Sequence, residues 1–235
     1  MNGTIDVPCA LGGQLWLVDL RSAVSETDLN LLAPWERDRA TRFRFEKDAR
    51  RYLVSHVALR RLVSRHLNMG PAQVALQTTP LGKPFIDGHP VHFNLSHSED
   101  WALIGLQERQ VIGVDIEVRH NIPDLEAVAR QNYTCAELAE LRQSSDPLGA
   151  FFTCWTRKEA CLKALGSGFS IEASCFEAGV DAQDQTVQIA TPDKRLCTMT
   201  VCSLDFSREP DKHPHLPQLY GAIAVVAPED AARVC

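Results

Sequence analysis

The stretch "VIGVDIEVRH" at residues 111–120 constrains this chain more than any other segment. Its β-branched run predicts a strand, and side chains along a strand alternate between two faces. Ile112, Val114, Ile116 and Val118 then make an unbroken aliphatic face that calls for burial, while Val111, Gly113, Asp115 and Glu117 share the other side. The two carboxylates stand ~6.6 Å apart along the strand, close enough to converge on one cation. Left unneutralised they would repel, and one would tend to keep its proton. Such a strand needs a core on one face and something positive on the other.

A second acid lies in "FFTCWTRKEACLKALG" (151–166), the strongest helical signal in the chain. At about 100° per residue, Phe152, Trp155, Glu159 and Leu162 fall within an arc of ~80°, so Glu159 is expected inside an apolar stripe. A carboxylate there is costly unless paired or metal-bound. Lys163, four residues on, can pair with it. Two unrelated elements that each bury acid nevertheless point to convergence. Asp115, Glu117 and Glu159 would supply three oxygen ligands, the kind of set Mg²⁺ takes together with water and substrate phosphate.

The totals narrow the class. With 235 residues and 45% hydrophobic composition the chain can fill one large core or two small ones, and its net charge of −6 argues against nucleic-acid binding. From Glu36 to His66 the balance inverts, with ten Lys or Arg against four acids, which suggests a local site for an anion. The N-terminus has no signal-peptide pattern and no apolar run approaches ~18 residues, so a cytoplasmic protein without a membrane span is expected. The eight cysteines form no CxxC pair and read as free thiols; Cys197 and Cys202, with "HPH" at 213–215, make only a weak case for zinc. There is no GxxxxGK[ST] and no GxGxxG.

Periodicity predicts strands at 14–20, 91–98, 101–106 and 111–118, the last two as a hairpin about "QERQ". A long amphipathic helix is expected over 46–67, and further helices at 123–131, 135–143 and 148–165. Short strands near 175–180, 186–190, 196–204 and 220–226 finish the chain, with a loop at 207–217. Each half thus runs strand, helices, strands. Lys83 sits on a stiff turn between Gly82 and Pro84, and His97 closes the polar face of "VHFNLSHS".

Four segments, "LGKPFI" (81–86), "FNLSHS" (93–98), "IGVDIE" (112–117) and "WTRKEACLKALGSG" (155–168), resemble in order and spacing the motifs of the 4′-phosphopantetheinyl transferases of the Sfp type. The basic stretch "RATRFRFEKDARRYLVSHVALRRLV" is similar to that family's N-terminal helices. The resemblance implies an α/β (α+β) pseudo-dimer of two similar halves, here 1–111 for nucleotide contacts and 112–235 for the metal and catalytic helix, with the active site between them. It implies Mg²⁺ held by Asp115, Glu117 and Glu159, and coenzyme A as donor. Lys163 would meet the pyrophosphate, Lys83, Ser96 and His97 the nucleotide phosphates, and Arg39 and Arg51 the 3′-phosphate end. Glu137 falls where the family often has an acid near the site.

The chain departs from the family pattern at Tyr52, where a threonine contacts nucleotide in some members, and at Asn132-Tyr133, where two aromatics are common. Ile116, between the two acids, matches members that use a water where others place a third acid. The partner implied is an apo acyl or peptidyl carrier protein docking near 123–143, and the chain itself is expected to be a monomer. Glu159 would take the serine proton, directly or through a bound water, with Lys163 offsetting charge on the departing bisphosphate. The rival readings are another Mg²⁺-dependent nucleotide transferase, and a non-catalytic carrier-binding module whose acids are only ion pairs.

Overall fold

A computed structural model describes residues 3–79, 82–88, 91–166, 171–206 and 216–234. Strands β1 (Thr4–Val7) and β2 (Gln14–Asp19) lead into helices α1 (Glu26–Leu29), α2 (Pro34–Ala40) and α3 (Glu46–His66). A short ribbon, β3 (Leu76–Thr78) and β4 (Pro84–Ile86), precedes β5 (His92–Ser98), β6 (Trp101–Gln107) and β7 (Ile112–Val118). Then come α4 (Leu125–Asn132), α5 (Cys135–Gln143), α6 (Pro147–Leu165), β8 (Gln185–Ala190), β9 (Leu196–Ser203) and β10 (Leu219–Val226). Two antiparallel four-stranded sheets result, ordered β1-β2-β6-β5 and β7-β10-β9-β8. The architecture is mixed α/β, and among the described residues no helix is long and apolar enough to cross a membrane.

Strand alternation sets the layers. On β2, Leu15 and Leu17 point into a core shared with Ile112, Val114 and Ile116 of β7 and with Ile223 and Val225 of β10. Trp16 and Val18 point the other way, onto Leu59, Leu62 and Val63 of α3. In the second sheet Ala222, Ala224 and Val226 of β10 lie under Ala160, Cys161 and Ala164 of α6. The two sheets therefore face each other across one apolar layer, with α3 and α6 on their far sides. The aliphatic face expected of "VIGVDIEV" is the wall of that middle layer. Buried Glu36 ties α2 to α3, accepting from Arg60 Nε at 2.7 Å and from the Ala33 amide at 2.8 Å, beside His56 Nδ1 at 2.8 Å.

Several expectations are corrected. β6 and β7 do not form a hairpin: β6 pairs with β2 and β5, and β7 with β10. Residues 101–106 of β6 are buried on both faces, so it is used as an interior strand with a partner on each edge, and "QERQ" carries the chain to the other sheet. The segment expected as a strand at 175–180 is a 3₁₀ turn at Ala173–Cys175 followed by irregular chain. Its carbonyls at Ala173, Phe176 and Ala178 accept from Lys158 and Arg157 rather than from a neighbouring strand. Cys197 and Cys202 belong to different cores on opposite faces of β9, so they do not make a ligand pair. "HPH" at 213–215 and most of the 207–217 loop lie outside the described residues.

Two features join the halves at the future site. The outward amides of edge strand β7 are taken by side chains of β5, Val114 N–H by Asn94 Oδ1 at 2.9 Å and Val118 N–H by Ser98 Oγ at 3.1 Å. On the other side of β7, α6 packs so closely that a Cβ at Gly113 would lie 2.1 Å from the Ala160 carbonyl oxygen and 2.3 Å from the Ala164 nitrogen. Backbone meets backbone there, and neither can swing away. Gly113→Ala should therefore cost roughly 3 kcal/mol in urea unfolding, and a midpoint equal to that of the parent protein would show that the helix can lift without loss.

Candidate active site

β7 and α6 bring three carboxylates together. Asp115 is 3% exposed, and its Oδ1 accepts from Ser96 Oγ at 2.7 Å and from Lys163 Nζ at 2.5 Å. Lys163 also donates to Ser96 Oγ at 2.8 Å. Glu117, one strand repeat along, accepts from Ser98 Oγ at 2.6 Å. Glu159 stands on the α6 face one turn before Lys163. Burial, then the charge of Asp115, raises its pKa above the ordinary glutamate value, with Lys163 pulling the other way. Glu117 is raised as well, by burial first and against the Ser98 hydrogen bond, with Asp115 again adding repulsion. Glu117 and Glu159 each feel Asp115.

The positive group required beside the strand's acids is Lys163. It was expected on Glu159; its ammonium goes instead to Asp115 and Ser96 across the helix–strand contact. The deeper carboxylate gains more from a counter-charge, because solvent screens it less. Among the described residues no three His, Cys, Asp or Glu side chains form a ready cation cage. The donor set nonetheless fits a hard divalent cation. Asp115 Oδ2 is buried without a hydrogen-bond partner among the described residues, and Glu117 and Glu159 are each repelled by Asp115, a repulsion that a cation would relieve.

Beside the acids opens a cleft of about 690 Å³ lined by Lys83, Asn132, Trp155, Glu159, Leu162 and Lys163 among others. Of the α6 stripe, Phe152 is buried in a core as expected, while Trp155 and Glu159 form this cleft wall and Leu162 stands between core and cleft; Ala160, Cys161, Ala164 and Leu165 face the core. Lys83 reaches the same wall and donates to the Ala164 carbonyl at 2.9 Å, at the negative end of α6. His97 is exposed at the rim. Its pKa lies below the ordinary histidine value, through desolvation and then the charges of Lys163, Arg51 and His56. Ser96 is buried and committed to Asp115.

Arg51 faces acids: Asp100 Oδ1 and Glu99 Oε2 each lie 2.9 Å from its guanidinium. Arg39 is exposed, its guanidinium 5.6 Å from the centre of the Tyr52 ring. Of the basic stretch, Arg60 is consumed by Glu36 and Arg61 pairs with Asp28, while Arg39, Arg42, Arg44 and Lys47 stay exposed. Acids from β7 and α6 therefore share one region with Lys163 of α6 and Lys83 of the β3–β4 turn. That arrangement suits an anionic substrate handled through a divalent cation.

Comparison with known proteins matches residues 21–108 to the N-terminal 4′-phosphopantetheinyl transferase model and residues 111–215 to the 4′-phosphopantetheinyl transferase superfamily. The chain is 36% identical to 4′-phosphopantetheinyl transferase psf-1 of Bacillus pumilus, over 72% of this chain and 73% of that protein. It is 31% identical to 4′-phosphopantetheinyl transferase Sfp of Bacillus subtilis strain 168, over 72% and 75%. A phosphopantetheinyl transferase of Thraustochytrium is 32% identical over 63% of this chain, and the match spans 59% of that protein.

Glu137 is placed elsewhere. It caps α5 through the Thr134 amide at 2.9 Å, and meets Lys158 Nζ at 2.8 Å and the Ala178 amide at 2.8 Å, lining a separate cleft. Glu137, which the resemblance puts near the site, uses its oxygens to hold α5, α6 and the 173–179 segment together. Lys158 and Arg157, both buried and adjacent to Glu159, were not anticipated. Lysine or arginine in a helix ordinarily marks the wet face, and the exception rests on Glu137 of α5 for Lys158 and on the carbonyls of the 173–179 segment for both. Burial alone would raise the Glu137 pKa, but Lys158 and the two amides hold it below the ordinary value. Its stabilising contribution is present above the unfolded glutamate pKa and is lost as pH falls through the depressed one. Glu137→Gln should lose ~3 kcal/mol at neutral pH and show a shallower further loss on acidification; parallel stability–pH curves for both proteins would refute this reading.

Proposed function

The chain belongs to the 4′-phosphopantetheinyl transferase superfamily, and from that premise we propose that it moves 4′-phosphopantetheine from coenzyme A to a serine hydroxyl of an apo acyl or peptidyl carrier protein. Adenosine 3′,5′-bisphosphate is released. The observation that carries this reading is the meeting of Asp115, Ser96 and Lys163 next to a cleft that Lys163 lines together with Glu159 and Lys83. We divide the work at 111/112, the first part contacting nucleotide and the second supplying acids and the reactive helix.

The serine oxygen bonds to the β-phosphorus as the bond from that phosphorus to the bisphosphate oxygen breaks, so most of the catalysis is positioning and charge neutralisation. Glu159 accepts the hydroxyl proton, directly or through a bound water. Lys163 offsets charge on the departing bisphosphate. His97, neutral in its cationic surroundings, donates a hydrogen bond to a phosphate oxygen, and Lys83, Arg39 and Arg51 hold the nucleotide end. Mg²⁺, held by Asp115, Glu117 and Glu159, would make the diphosphate more electrophilic and steady its charge. The carrier meets α4 and α5.

Mass spectrometry of an apo carrier incubated with coenzyme A and Mg²⁺ should show one added phosphopantetheine. Glu159→Ala should slow that reaction by ~10²–10⁴-fold with its thermal unfolding little changed; a rate near that of the parent protein would remove Glu159 from the role of base. Arg51→Ala should raise the coenzyme A Michaelis constant about tenfold, with a smaller effect on dephospho-coenzyme A. Equal effects on both compounds would exclude a contact with the 3′-phosphate.

A further inference from the structure

Lys163 Nζ lies 2.5 Å from Asp115 Oδ1 and 2.8 Å from Ser96 Oγ, and Ser96 Oγ donates to the same Oδ1 at 2.7 Å. The three groups close a ring. Asp115 is almost wholly buried, whereas the Lys163 side chain is 31% exposed and borders the cleft. One partner of the pair is fixed and the other has room to move. The ammonium sits on Oδ1 of the same carboxylate whose unpartnered Oδ2 a divalent cation would meet, and the two positive charges repel across that one group. Ser96 also moves with this choice, since its hydroxyl bridges lysine and carboxylate.

We infer that Lys163 is a built-in competitor of the divalent cation at Asp115, a latch that neutralises the buried carboxylate until a cation displaces it and frees the ammonium for the phosphates in the cleft. Displacement lets one side chain serve two anions in turn. It also sets a cost on metal binding: a cation meets a competent Asp115 only in the fraction of molecules whose latch is open, and its apparent affinity falls by that fraction. A latch closed about nine times in ten weakens affinity about tenfold. Lys83, the other lysine of the cleft wall, donates to the Ala164 carbonyl. This inference rests on the proposed role of Asp115, Glu117 and Glu159 as cation ligands.

The test measures metal affinity directly, without turnover. Mg²⁺ would be titrated calorimetrically into the full chain, the Lys163→Met and Lys163→Arg variants, and Lys194→Met, which removes an equal charge from the β8–β9 turn. Displacement predicts Mg²⁺ binding about tenfold tighter in Lys163→Met, with Lys163→Arg and Lys194→Met close to the parent protein. Thermal unfolding in chelator supplies a second readout: Lys163→Met should melt lower than the parent protein without metal and gain more on adding Mg²⁺. Affinity unchanged or weaker in Lys163→Met, with the parent protein binding normally, would overturn the latch and leave the ligand assignment standing. No Mg²⁺ binding by the parent protein, with or without coenzyme A, would overturn both.

Discussion

The contact of α6 with β7 at Gly113 is the constraint on which the rest depends. A helix normally rests on a sheet through side chains; here the missing Cβ lets the Ala160–Ala164 turn sit on the strand's backbone. That closeness puts Glu159 and Lys163 of the helix over Asp115 and Glu117 of the strand, within reach of one another's charge. A larger residue at 113 would separate the acids from the lysine that neutralises Asp115. The aliphatic face of β7, packed against the first sheet, prevents the strand from yielding instead.

Charge is sorted along α6 by position around the helix. Arg157 and Lys158 are buried toward the 173–179 segment, where carbonyls and Glu137 receive them. Glu159 and Lys163 face the cleft. Consecutive residues thus do opposite work: the buried cations pin the segment that closes one side of the helix, and the acid beside them lines the cleft. Burying an arginine and a lysine is tolerable only because each finds several acceptors, and losing one acceptor strands the charge.

The seam between β5 and β7 shows how the two sheets share a site without sharing a hydrogen-bonded ladder. Asn94 and Ser98 take amides of β7, and Ser96 and Ser98 donate to its two acids. A row of small polar side chains thereby satisfies an otherwise exposed strand edge and orients both carboxylates. The same strand carries His97 within reach of the charges of Lys163 on α6 and of Arg51 and His56 on α3.

Much of this was readable in one dimension. Alternation in "VIGVDIEV" separated the buried aliphatic face from the acid face, and helical spacing put Glu159 and Lys163 on one side of a helix, because periods of 2 and 3.6 are local properties of the backbone. The ordered motifs pointed to the family before any coordinates. Tertiary structure alone decided which partner each group took. β6 joined β2 and β5 rather than β7, since pairing is chosen by the whole sheet. Lys163 chose Asp115 over its own helical neighbour, and Glu137 took the buried Lys158, because the worth of a counter-charge depends on burial, which no spacing encodes.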